Sequence, residues 1–360
     1  MSRQRTAPDL QIPLGRALSS YRDDVRRFIA ARAAPSIVRD GIDAATGYDA
    51  ALWAATAELE WAATLVPERH GGAGGTLLES SVLLEEMGRA LLPLPVLSAA
   101  VMAPLALLAG ADDDARTRLL PRIADGTLRA TFAHDRERST VTVAAGRATG
   151  TLHNVVDGTD AAVVIALADD ALVAIDPRAA GVTVTRETWI DPTRRIATIA
   201  LDGASVELLG AAGDLATADA WIATLVAAEA VGGARRCLEM STEWATLREQ
   251  FGRPIATFQP IKHLCVDMLV AVEAATAATR VAARLGDAAS HDHPAAARLA
   301  LATAVDTYRR AGEDCMQIHG GMGYTWDHDV HLHLKRAKGD EAIFGSAARN
   351  RARLADLVGF

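Results

Sequence analysis

Two short stretches in the last third of the chain combine residue types that can recognise phosphate. In the first, Arg248-Glu-Gln-Phe-Gly-Arg-Pro-Ile255 runs into Thr257-Phe-Gln-Pro-Ile-Lys-His263, so Arg248, Gln250, Phe251 and Gln259 surround a helix break made by Gly252 and Pro254. A helix break exposes backbone N–H groups, and a guanidinium adds a planar fork suited to pyrophosphate. The second, Gln317-Ile-His-Gly-Gly-Met-Gly323, lets the backbone approach a ligand closely at Gly320 and Gly321. Spacing alone leaves two readings open: a site for a phosphate-bearing cofactor, or a pair of helix-terminating turns.

Other chemistries find less support. A di-iron site in a helical bundle uses Glu-x-x-His, and none of the ten histidines has Asp or Glu three residues before it. His328, His331 and His333, with Asp327 and Asp329, contain one i, i+3 pair that zinc could use. Val330, Leu332 and Leu334 interleave them as in an amphipathic helix, and spacing identifies no third ligand. No G-x-S-x-G elbow is present. Gly71, Gly72, Gly74 and Gly75 lack the Lys-Ser/Thr pair of a phosphate loop and read as a turn needing positive φ. Cys237, Cys265 and Cys315 lie far apart with no CxxC, which disfavours a disulfide scaffold or a zinc ribbon.

The elements that must position these residues fall into three textures. Residues 1–126 read as helical: Tyr21, Val25, Phe28 and Ile29 share one face of a helix over 18–34, and further helices are expected over 48–65 and 76–92. Residues 127–210 switch to short β-branched or alternating runs (VTVAA, AAVVIALA, ALVAI, GVTVT, ATIALD) separated by Gly/Asp turns. They predict about seven strands in an antiparallel sandwich or barrel. Residues 211–360 return to long helices over 216–249, 257–285 and 295–318, followed by two shorter ones, an up-and-down bundle of about four helices. The fold class expected is therefore α+β and multi-domain: helices, then a β-domain, then a bundle.

With 37 Lys+Arg against 45 Asp+Glu the net charge is −8, without the basic surface that nucleic acid requires. The apolar stretch over 91–108 is broken by three prolines, and MSRQRTAPDLQIPLG lacks the apolar segment of a signal peptide. The expectation is a cytoplasmic protein with no nucleic-acid or membrane partner.

The motifs together resemble the acyl-CoA dehydrogenase family, and the resemblance covers nearly the whole chain. VPERHGGAGG with LLEEMGRALL looks like its N-terminal helical signature, and LPRIADGTLRATFA resembles the entry to its β-domain. REQFGRPIATFQPIKH and QIHGGMGYTWDHDVHLHLKRAK look like its C-terminal bundle. What this implies is α,β-dehydrogenation of an acyl-CoA thioester with bound FAD, a carboxylate taking the α-proton and an electron-transfer acceptor reoxidising the flavin. In the family the flavin lies between the β-domain and the bundle of its own chain, while the neighbouring subunit grips the adenine and pyrophosphate end. By resemblance Arg248, Gln250, Phe251, Gln259, Gln317, Gly320 and Gly321 make those contacts across the subunit boundary.

The rest of the family pattern is missing. Phe344 stands where most members place the catalytic Glu, and Ile222 stands at or beside the alternative position on the first long bundle helix, so no catalytic residue is assigned. The flavin loop is replaced by His134-Asp135-Arg136-Glu137-Arg138, and the aromatic-Ile-Thr strand by Asn154-Val155-Val156. This chain resembles the base-lacking subunit of bacterial α2β2 acyl-CoA dehydrogenases, which often act on bulky, steroid-like acyl-CoA esters. Two alternatives are a self-sufficient dehydrogenase with a displaced base, for which Glu341, Asp340 and Glu229 are the candidates, and a homo-oligomeric binding module without enzymatic activity.

Overall fold

Helical spacing in the first segment becomes α1 (Arg16–Arg32), α2 (Ile37–Asp43), α3 (Ala50–Ala57), α4 (Leu77–Ala90), α5 (Ala103–Gly110) and α6 (Asp113–Ala124). The computed structural model describes residues 14–33, 36–44 and 46–360; the stretch read above for a leader, residues 1–13, lies outside them, as does the end of the helix expected over 18–34. Thr76 caps α4 through a reciprocal box with Glu79, satisfying backbone donors that would otherwise be orphaned. The helix expected over 48–65 stops at Ala57. Glu60 takes a left-handed φ of 55°, and Trp61, Ala62 and Ala63 are buried in succession, a pattern that no single helical face can satisfy. A buried π-helical turn, Val96–Met102, precedes α5. The glycines after Pro67 form a turn: Gly71 and Gly74 have positive φ, and a Cβ on Gly72 would meet the Val66 carbonyl.

The middle segment supplies β1 (Ala130–Phe132), β2 (Thr140–Ala144), β3 (Arg147–Val156), β4 (Val163–Ala168), β5 (Ala171–Ile175), β6 (Val182–Arg186) and β7 (Ile196–Ala211). The order is β1-β4-β5-β7-β3-β2, with β6 also on β7. The long β7 runs through both layers, carrying β3 and β6 along its first half and β5 along its last part. All pairings are antiparallel except β1 with β4, which makes the sheet mixed. Leu152, Val155, Val164, Val173, Ile175, Ile199 and Leu201 close the core between the layers.

The last segment forms α7 (Leu215–Leu247), α8 (Gln259–Asp287), α9 (His293–His319), α10 (Val330–Phe344) and α11 (Ala347–Val358). Among the described residues α7 alone is long and apolar enough to cross a membrane, but its apolar window is 78% buried inside the protein, the signature of a core helix. α7 touches α4, α8, α9 and α10, so the first and last segments share one core.

The crossing of α4 and α7 depends on two glycines. A Cβ on Gly232 would lie 1.8 Å from the Glu85 carbonyl oxygen, and one on Gly88 would lie 2.0 Å from that of Glu229. The helices must separate to accept either. Gly232→Ala is expected to lower stability by about 3 kcal/mol, because overpacking forces the backbone apart; urea unfolding measures it, and an unchanged midpoint would show that the crossing has slack.

Candidate functional site

The seven residues singled out for phosphate recognition gather at one end of the bundle. α7 and α9 finish there and α8 begins there: Trp244, in the last turn of α7, stacks on His319, the last residue of α9, with ring centroids 5.2 Å apart. Arg248 caps α7 in an extended conformation. The chain then forms a two-residue hairpin between β8 (Glu249–Gln250) and β9 (Arg253–Pro254), whose turn residues Phe251 and Gly252 both have positive φ. Left-handed φ is unusual for phenylalanine, and Phe251 is 92% exposed, its ring edge on Phe258. Gln259 starts α8, Gln317 lies on an exposed face of α9, and Gly320 takes φ 60°, ψ −139°, a conformation open to glycine. All seven are exposed, and no atom stands within 4 Å of a Cβ built on Gly320 or Gly321. An uncovered guanidinium, two side-chain amides near a helix start and a bare glycine backbone make a donor set that suits a pyrophosphate.

The seam between the β-domain and the bundle is built in the opposite way. Here the resemblance places the flavin of a catalytic chain, and here a pocket of about 210 Å³ is lined by charged side chains paired with one another and by Ile343 and Phe344. His134 pairs with Asp219 of α7 at 3.2 Å, and Arg136 pairs with the same carboxylate. Burial alone would raise the Asp219 carboxyl, but His134 and Arg136 hold it below its ordinary value. Glu137 pairs with Arg349 and Arg353 of α11. Asn154 sits at a β3 irregularity with φ 53° and donates from its amide to Asp135 at 2.7 Å, so it holds the 134–138 loop. Val155 and Val156 are buried core residues without a hydroxyl to offer. The seam residues therefore do not fit an isoalloxazine.

Both positions that would carry a base are core. Ile222 is fully buried in α7, and Phe344 packs beside His134 with ring centroids 5.8 Å apart. The displaced carboxylates are committed elsewhere. Glu341 lies 3.7 Å from Arg309 on the outer side of α10. Glu229 accepts from Arg194 Nη2 at 2.8 and 2.6 Å and from Arg336 Nη1 at 2.9 Å. Asp340 accepts from Arg194 Nη1 at 2.6 Å through Oδ1, while its Oδ2 is buried without a partner. Asp191 pairs with Arg336 and accepts from Thr193. This five-residue ion cluster ties the β6–β7 loop to α7 and α10. Burial pushes the Asp340 carboxyl up to about 7, against the pull of Arg194, whereas Arg336 and Arg194 hold Asp191 low despite burial. Arg194, Glu229 and Arg336 of the cluster line a cavity of about 40 Å³ between the N-terminal helices and the β-domain. That is room for roughly two or three waters.

Sequence spacing did not anticipate this cluster, since its members come from residues 191–194, 229 and 336–340. The histidines of α10 do not converge either. His333 is buried against the Tyr308 hydroxyl at 2.9 Å with its pKa pushed down to about 3, chiefly by burial, while His331 packs on Trp326 and His328 on His319. Among the described residues no three His, Cys, Asp or Glu side chains form a metal-ligand set. The cysteines are free thiols: Cys237 on α7 and Cys315 on α9 are buried, and Cys315 Sγ lies 3.7 Å from His319 Nδ1.

Because Asp340 titrates higher folded than unfolded (about 3.9), the folded state binds the extra proton between those values, and stability falls as pH rises from about 4 to 7. Asp340→Asn keeps an acceptor for Arg194 and removes the proton. The expected result is a flatter stability–pH profile and a gain on the order of 1–3 kcal/mol above pH 7; urea unfolding across pH checks it, and an unaltered slope would show that another group titrates.

Two family models match the chain: the acyl-CoA dehydrogenase N-terminal domain over residues 17–127 and the C-terminal domain over 220–358. The chain is 36% identical to "Acyl-CoA dehydrogenase IpdE2" of Mycobacterium tuberculosis over 94% of its own length and 96% of that protein. Among solved structures it is similar to a variant of the Tcur3481-Tcur3483 steroid ACAD, with TM-score 0.87, 28% identity and coverage of 96% and 98% of the two chains. It also shares the fold of a chain in the ChsE4-ChsE5 complex of Mycobacterium tuberculosis, with TM-score 0.87, 24% identity and the same coverage. The architecture of helices, sheet and bundle, the match across both terminal domains and the near full-length relative agree: the chain belongs to the acyl-CoA dehydrogenase family of FAD-dependent flavoproteins.

Proposed function

We propose that the chain is the non-catalytic, FAD-contacting subunit of a heteromeric acyl-CoA dehydrogenase. It lends Arg248, Gln250, Phe251, Gln259, Gln317, Gly320 and Gly321 to a dinucleotide seated in a partner chain of the same fold. The observation that carries this reading is an asymmetry. The donors that would serve a neighbour are uncovered, while the pocket that would serve a cofactor of its own is lined by ion pairs to Asp219 and Glu137 and by Phe344, with neither a base nor a hydroxyl-bearing strand. FAD, when bound in such an enzyme, takes up the β-hydride of the acyl thioester as a carboxylate removes the α-proton. No carboxylate of this chain is free for that proton at either expected position, and Glu229 and Asp340 are held by Arg194 and Arg336. The base and the flavin pocket then belong to the partner.

Within that assembly this chain's work is binding and positioning. Arg248 neutralises phosphate charge, the glutamine amides donate to phosphate or adenine, and Gly320 and Gly321 let the backbone approach. The steroid ACAD among the structural neighbours and the two-chain ChsE4-ChsE5 complex support a bulky acyl-CoA as substrate class and a second dehydrogenase-like chain as partner. Electrons leave through a separate acceptor.

The chain purified alone is expected to carry no flavin absorbance and to oxidise no acyl-CoA, and the complex with an intact-base partner to be yellow and active. Arg248→Ala in this chain, at an exposed position, is expected to weaken FAD retention by the complex about ten- to hundredfold, the worth of a charge-assisted hydrogen bond. A lone chain that turns over acyl-CoA at an ordinary rate would overturn the reading.

A further inference from the structure

The cavity beside the ion cluster holds cationic groups that the fold leaves unsatisfied. Arg195, 5% exposed, uses only Nη2, which donates to the carbonyls of Gly41 (2.9 Å), Ile42 (3.1 Å) and Ala44 at the end of α2. Its Nε and Nη1 are buried without a partner. Buried N–H groups of a charged side chain are costly to leave unpaired, so an acceptor is expected there. Gly47 is shaped around this guanidinium: it has φ 72°, and a Cβ on it would lie 2.2 Å from Arg195 Nε. Arg129 enters the same cavity from the start of β1. Its guanidinium lies 5.2 Å from the Tyr48 ring centroid, Nη2 donates to the Asp160 carbonyl at 3.3 Å, and Nε is buried and unpartnered.

The remaining charges do not cancel these two. Arg194 and Arg336, which also face the cavity, are neutralised by Glu229, Asp340 and Asp191. Asp160 offsets one cation. Asp157 accepts from the Ser98 hydroxyl at 2.5 Å, and burial pushes its carboxyl up to about 6, so it is a weak source of negative charge in mildly acidic solution. The outer wall is apolar, made by the π-helical turn and the segment just before it.

We propose that this cavity is a binding site for the carboxylate head of a small organic acid, held by Arg195 and Arg129, with its hydrocarbon part against Pro93 and Val96. A guanidinium pair meeting a carboxylate gives charge-assisted hydrogen bonds in a site largely closed to water. The cavity of about 40 Å³ takes the head group; the body lies along the apolar wall. The carboxylate belongs to a free acid or to the far end of an acyl-CoA. The site lies within this one chain and does not depend on the subunit reading.

Calorimetric titration tests this on the full-length chain, using acetate, propionate and succinate as sodium salts against sodium chloride at matched ionic strength. Succinyl-CoA and butyryl-CoA, which differ in a terminal carboxylate, form a second arm. Saturable binding of the acids is expected, weakened about ten- to hundredfold in Arg129→Gln, with the unliganded unfolding midpoint measured alongside to show that the variant is folded. Arg195→Lys should weaken it as well, and if that variant does not fold, the Arg129→Gln series decides. Binding of succinate and succinyl-CoA alike assigns a free-acid site; binding of succinyl-CoA alone, over butyryl-CoA, assigns an acyl terminus. Absence of saturable binding in both arms, or binding indifferent to Arg129→Gln, overturns the proposal and leaves a cavity that holds water only.

Discussion

The junction of the three segments rests on a buried exchange of charge. Arg194 reaches from the β6–β7 loop to Glu229 on α7 and Asp340 on α10, and Arg336 on α10 reaches back to Asp191 and Glu229. None of these side chains is more than marginally exposed. Such a network need not be strongly stabilising in net terms, because desolvation cancels most of the Coulombic gain. Its effect is conditional. With three carboxylates against two guanidiniums, removing either arginine strands buried negative charge, so the two arginines hold the β-domain on the bundle in one docking geometry.

That constraint shapes what the chain can do. With the cluster set, α10 presents Phe344 toward His134, and the pocket beside it is bridged by Asp219 and Glu137 in ion pairs across the domain boundary. The other end of the same bundle is left bare: an exposed hairpin tip at Phe251, Arg248 beside it, and a glycine pair after α9 that nothing covers. One end of the molecule spends its charged side chains on one another and the other leaves them to solvent. That contrast is what the proposed role as a partner subunit rests on.

Much of the fold was legible because it follows local rules. Period-2 runs became β4, β5, β6 and β7, and the helix read over 216–249 became α7. The motifs at Arg248 and Gln317 were legible because glycine and proline mark the breaks around them. The helix expected to Leu65 failed where three successive residues from Trp61 are buried, a signal that periodicity cannot separate from noise. The parallel β1–β4 pair was hidden because strand direction depends on a crossover and not on composition. The ion cluster and the cavity beside Arg195 were hidden for a related reason: their members are tens to more than a hundred residues apart, and no spacing rule connects Asp191, Glu229 and Asp340.

The proposal that a partner chain holds the redox pocket is tested most directly by the FAD content of the heteromer it requires. Acid-released flavin, counted against both polypeptides, should give one FAD for each pair of unlike chains. One FAD for every chain would mean that the seam at His134 and Phe344 opens to hold a flavin, and would contradict the account.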